Sequence, residues 1–201
     1  MRFTCMICLI LMMITACKTK NIPYSEKMKT DLKVMYKKDQ DIQNLIINTS
    51  NEKVDKSELE RKKYAIFKTN CSTLKNYFEE YGYPTINHNG KKISHTFWLL
   101  VQHCDHDIDF QKSVLKAMKS ELKNNNVAKV DYAYLYDRVQ INNGKKQLYG
   151  TQVGYDENYN PYIKELINPS TVNKRRKAMG LNTIEEYIEE IRKIQTMNSK
   201  S

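Results

Sequence analysis

The densest chemistry in this chain is the run His103-Cys104-Asp105-His106-Asp107. An imidazole titrates near neutral pH, and a nearby carboxylate can hold it in one orientation. His103 with Asp105 or Asp137 therefore has the makings of a general base and its positioning acid. The same run carries imidazole and carboxylate groups of the kind that bind divalent metals. It lacks the i, i+4 histidine pair of a zinc-protease helix, and alternating residues at a helix end point in different directions. The plainer expectation is a hydrogen-bonded His103, with the aspartates capping the helix that follows. No metal is expected. The chain also has no nucleotide-binding glycine loop, cofactor fingerprint or zinc-ribbon spacing, so no cofactor is expected either. No Ser or Cys stands out as a nucleophile, which points to base-activated water and away from acyl-enzyme chemistry.

Two further segments are unusually polar. Arg138 is one of only six arginines against 27 lysines. Its planar guanidinium suits either a bidentate grip on a carboxylate or phosphate, or an internal ion pair. Tyr149-Gly150-Thr151-Gln152 places a phenol, a hydroxyl and a carboxamide around a glycine. Burying that set without partners is expensive, so it forms either a ligand-facing surface or a satisfied internal network. On the enzyme reading, His103, Asp105 and Asp137 are catalytic, and Arg138, Tyr149, Thr151 and Gln152 hold an anionic or amide-bearing substrate. On the alternative, a non-catalytic binding or scaffold protein, the same residues are structural.

The elements that must position these residues are mostly helical. Met28, Leu32, Met35 and Ile42 mark a first helix from Ser25 to about Ile47. A polar break covers residues 48–53, and Ser57-x-x-Glu60 reads as a capping box for a second helix ending before Gly82-Tyr83-Pro84. Residues 85–92 read as a loop and 95–103 as a buried helix. A further helix with Phe110, Val114, Leu115, Met118 and Leu122 on one face ends at Asn124-Asn125-Asn126. Val139 and Ile141 alternate with polar residues ahead of Asn143-Gly144, which predicts a hairpin near 138–153. Asn168-Pro169 opens a short helix that ends at Gly180, and Thr183-x-x-Glu186 opens the last one. The expected fold is a predominantly helical α+β domain over residues 25–201, with five to six helices and one small antiparallel β-hairpin.

Several of these segments resemble an uncharacterised bacterial domain family. They are Gln102-His103-x-Asp105, Asp137-Arg138-Val139 and Tyr149-Gly150-Thr151-Gln152, together with Asp39-Gln40, Asn70, Gly82-x-Pro84, Gln111 and Arg175-Arg176. Gln43 stands where that family commonly has arginine, and Tyr83 where it has tryptophan. The resemblance implies a fold and a shared polar site, to which it adds Gln111 on the substrate side. It implies no reaction.

The N-terminus supplies an address. Arg2 is followed by an apolar run, Phe3 to Ile14, that is too short to span a bilayer, which takes roughly 20 residues. It ends in Ile14-Thr15-Ala16-Cys17, the pattern of a bacterial lipobox. Residues 1–16 then form a removable signal, Cys17 accepts lipid, and residues 17–24 form a polar tether. The expected location is the bacterial cell envelope, anchored to a membrane by acyl chains and facing the periplasm. Removing the signal leaves 32 basic and 23 acidic residues, a balance of +9. For an exported, lysine-rich chain without a basic aromatic stripe, the expected partners are the membrane and an envelope polymer or protein ligand, with no nucleic acid. Cys71 and Cys104 remain, either as a pair or as buried free thiols.

Overall fold

A computed structural model describes residues 22–49 and 55–198. The signal segment, Cys17, most of the tether and residues 50–54 of the polar break lie outside the described residues. Helix α1 (Glu26–Asn48) starts where the Ser25 hydroxyl accepts from the Met28 amide at 3.2 Å. Its buried stripe is Met28, Leu32, Met35, Asp39 and Ile42. Helix α2 (Lys56–Tyr81) is capped two residues earlier than the sequence suggests: Asp55, not Ser57, accepts from the amides of Ser57 and Glu58. A carboxylate is a stronger acceptor than a hydroxyl at a helix N-terminus. Gly82 ends α2 at φ +79°, as the Gly-Tyr-Pro stop requires.

Most of residues 85–92, expected as a loop, is helical from Ile86 onward. Helix α3 (Ile86–Gln102) is broken once, at Gly90 (φ +78°). Its cap comes from a distance: Asn126 accepts from the Ile86 amide through its carbonyl and from the Asn87 amide through its side chain. Helix α4 (Ile108–Glu121) is capped by Asp107, which accepts from the Phe110 amide at 3.0 Å. A 3-10 turn at residues 122–124 follows.

The hairpin expected near 138–153 is absent there. Helix α5 (Lys129–Asn142) contains Asp137, Arg138, Val139 and Ile141. Asn143-Gly144 is its terminus, with the Gly144 amide donating to Ile141 and Gly144 at φ +66°. A positive-φ glycine serves a helix end as well as a tight turn. The hairpin lies further on: β1 (Val153–Tyr155) pairs antiparallel with β2 (Pro161–Ile163), Gly154 opposite Tyr162. Helix α6 (Val172–Ala178) follows a 3-10 turn begun by Pro169, and α7 (Ile184–Asn198) opens at Thr183 and Glu186, which bond reciprocally as a capping box. The described chain is thus α+β and mainly helical, with seven helices and one two-stranded sheet, slightly more helices than expected.

The core lies where α1, α2 and α3 meet and continues between α4 and α5. Leu32, Leu74, Phe97, Val101, Val114, Met118 and Leu135 are fully buried, each worth about 1.5–3 kcal/mol of apolar transfer. Tyr24 closes one end, edge-on to Tyr77, Tyr81 and Phe97 at 6.0 Å each. Its hydroxyl donates to Gly82 O and its amide to Asn89 Oδ1. No described helix is long and apolar enough to cross a membrane.

Candidate functional site

His103 ends α3, and its Nδ1 lies 2.6 Å from Oδ2 of Asp39 on α1. Asp39 occupies a core position of the α1 stripe and is fully buried. Such a carboxylate is tolerable only when its oxygens are satisfied. Here the other oxygen accepts from Gln40 Nε2 at 2.9 Å and Gln43 Nε2 at 2.8 Å. The ring of His103 stacks on Phe67 of α2, with centroids 4.5 Å apart and planes within 8°. The side chain keeps 17% exposure, and Nε2 makes no hydrogen bond among the described residues. A fixed imidazole with one nitrogen held by a buried carboxylate is the arrangement of a positioned base.

Asp105 does not orient His103. It takes a bidentate contact from Arg138, Nε at 2.8 Å and Nη2 at 2.6 Å, and a third from Asn142 Nδ2 at 2.8 Å. Burial pushes its carboxyl up, but the Arg138 guanidinium and the amides of Gln111 and Asn142 outweigh this and hold it below the usual range. Gln111 is fully buried; its Nε2 donates to Val101 O at 3.0 Å and reaches Asp105 at 3.2 Å. It covers a carbonyl left open at the end of α3. Asp105, Arg138, Asn142 and Gln111 thus fix the α3–α4 turn to α5.

Asp137 does not reach His103 either. It is fully buried and accepts from the amides of Leu148 (2.7 Å), Tyr149 (3.1 Å) and Thr151 (3.0 Å), and from the Thr151 hydroxyl (3.1 Å). Burial raises its carboxyl despite these four donors. From the other side, Arg175 donates to Leu148 O, while Arg176, with 0% exposure, donates to Tyr149 O at 2.9 Å and Gly150 O at 3.0 Å. Gly150 sits at φ +70°, where an added Cβ would come within 2.5 Å of Ile184 Cδ1. Gln147, also buried, donates to Gln152 O and accepts from the Gln152 amide. The backbone of the Tyr-Gly-Thr-Gln segment and the Thr151 hydroxyl thus belong to an internal hydrogen-bond network.

The model of a family described as "Family of unknown function (DUF6624)" matches residues 26–200. The chain belongs to DUF6624. No curated protein and no solved structure matches it. The family is described as one of unknown function, in line with the expectation of an uncharacterised domain family.

In this DUF6624 chain the sequence-selected residues fall into three groups. Asp137, Tyr149, Thr151 and Gln152 come together at the clamped loop, Asp105, Arg138 and Gln111 at the α3–α4 turn, and His103 stands with Asp39. The partner of His103 was missed as a chemical group, although an acid four residues after Met35 and three before Ile42 interrupts an otherwise apolar stripe. A second histidine–carboxylate pair was missed outright. His95 Nδ1 lies 3.1 and 3.0 Å from the two oxygens of Asp131. Its signal is the one acid in the first turn of α5, legible only once 129–142 is known to be a helix. Among the described residues no group of three or more His, Cys, Asp or Glu is placed to hold a metal ion. Cys71 and Cys104 are free and buried, and burial, then the Cys71 thiol, push the Cys104 thiol far up.

Proposed function

We propose that this chain is a bacterial envelope lipoprotein, cut before Cys17 and held by lipid facing the periplasm, whose His103 acts as a general base on water with Asp39 as its positioning residue. The observation that carries the chemical part is the 2.6 Å contact between His103 Nδ1 and the buried, doubly amide-held Asp39. That contact keeps the proton on Nδ1 and leaves the Nε2 lone pair to accept one from water, which would attack an acyl or phosphoryl centre. Asp105 and Asp137 drop out as orienting acids because their oxygens are engaged elsewhere. Arg138 is committed to Asp105 through Nε and Nη2, and Gln152 Nε2 donates to the Thr151 hydroxyl.

The address is tested by acyl labelling. Cys17→Ser abolishes incorporation of labelled palmitate and releases the chain from the membrane fraction; labelling that survives the change overturns it. The chemistry is tested by a panel of chromogenic carboxylic and phosphoric esters. One class is turned over, His103→Gln lowers the rate 10²- to 10⁴-fold, and the melting temperature moves little. A panel with no turnover above background, or turnover that survives His103→Gln, overturns it.

A second reading, a non-catalytic scaffold lipoprotein, is favoured by a different observation: Asp137, Thr151, Gln147 and Arg176 spend their polar atoms on one another and on backbone. It expects His103→Ala to lower the melting temperature sharply, with no catalytic phenotype to lose.

A further inference from the structure

The second histidine–carboxylate pair borders a half-open cavity of about 550 Å³ between the first half of α3 and the start of α5. That volume is in the range of small-molecule sites, roughly 300–1,000 Å³. Ile86, Val127, Val130 and Met179 give it apolar walls. Lys91 and Lys129 also line it, and neither ammonium enters an ion pair among the described residues. His95 is 54% exposed and Asp131 5%. The imidazole is held through Nδ1, so Nε2 is left for another partner. Lys129, Val130 and Asp131 form the first turn of α5, and Ala128 offers their amides no side-chain acceptor.

The charge balance of this cavity selects its ligand. Two lysines without an ion-pair partner among the described residues and an imidazole border the cavity beside one carboxylate, and that carboxylate is already engaged by the imidazole. A cation would meet two like charges and lose little by staying in water, whereas an anion would meet two uncompensated ones. The apolar walls favour a ligand with an apolar body that leaves water on binding. We infer that the cavity binds a small amphiphilic anion, an apolar chain ending in a carboxylate, with Lys91, Lys129 and His95 Nε2 on the head group and Ile86, Val127, Val130 and Met179 around the chain. Burial raises the Asp131 carboxyl despite its His95 partner. The site is separate from His103 and does not depend on the reaction assigned to it.

The protein carries its own reporter. Its single tryptophan, Trp98, lies against the His95 ring with centroids 4.9 Å apart. The experiment titrates decanoate, decanol and decyltrimethylammonium into the full chain carrying Cys17→Ser, reading Trp98 emission and heat of binding. Decanoate is expected to saturate and to bind at least tenfold more tightly than either comparison compound. Lys91→Ala with Lys129→Ala, both exposed at the cavity's border and outside the core, should weaken decanoate tenfold or more and leave decanol unchanged. Val130→Phe, which fills the cavity, should abolish the Trp98 response while circular dichroism keeps its helical signature. Equal or tighter binding of the cation, no saturable decanoate binding, or a response indifferent to the double lysine change overturns the assignment. Should Val130→Phe unfold the chain, the lysine variant decides alone.

Discussion

Asp39 and Asp137 are both fully buried carboxylates, yet they sit among different kinds of partner. Asp39 is met by side chains: an imidazole and two carboxamides, each able to turn about its own bonds. Asp137 is met by three backbone amides and a hydroxyl, and amides are donors under all conditions. The first environment can adapt to a change of protonation, and the second cannot. A base that takes and returns a proton needs the adaptable one. A loop that must hold one shape needs the fixed one.

The largest expected effect falls on the fixed region. Arg176→Ala would strand the acceptors of Tyr149, Gly150 and Asn182 in the interior. At about 1–3 kcal/mol for each unsatisfied buried group, the loss should exceed about 3 kcal/mol in urea unfolding. A loss below about 1 kcal/mol would show that the clamp is not what holds the loop. Asp137→Asn and Asp39→Asn test the contrast itself. The first turns an acceptor toward amide donors and should cost about 2–3 kcal/mol. The second lets His103 and the glutamines reorganise and should cost about 1 kcal/mol or less. Equal losses would erase the distinction drawn between the two acids.

Gly150→Ala comes next. Both a φ of +70° and the 2.5 Å approach to Ile184 oppose it, for about 2–3 kcal/mol. Gly144→Ala, at φ +66° with nothing within 4 Å, should cost about 1 kcal/mol. The smallest effect belongs to Asp105–Arg138, a partly exposed pair worth under about 1 kcal/mol. The folded carboxyl lies below its unfolded value, so the pair's contribution is complete above the ordinary Asp range and disappears as pH falls through the folded value. The stability difference between wild type and Arg138→Ala should therefore be present at pH 7 and shrink below about pH 4.

Helices α1 and α4 were legible because each buries one face, and α7 because it half-buries one, so their apolar residues recur with the helical period. Helix α5 was not. It buries Asp131, Tyr132, Ala133, Leu135, Asp137 and Val139, against α3 and α4 on some sides and the 148–151 loop on another. A helix covered from several directions loses its stripe, and Val139 and Ile141 then mimic a strand. The start of α3 was hidden for another reason, since its cap comes from Asn126 some forty residues along. Within the site, His103 was legible by type, whereas Asp39 needed the α1 face and the α3 end in one place. The clamped loop was visible as polar density, but its donors and acceptors are largely backbone, which composition does not display.

Tyr24 also settles how force would travel. Its amide, hydroxyl and ring are tied to the corner where α2 gives way to α3, and the Ile22 amide donates to Tyr81 O beside it. Five peptide links separate Cys17 from Ile22, a leash of at most about 18 Å. With lipid on Cys17 as proposed, a pull from the membrane would load that corner before α1, so the domain would resist extraction as a whole without unwinding from its first helix.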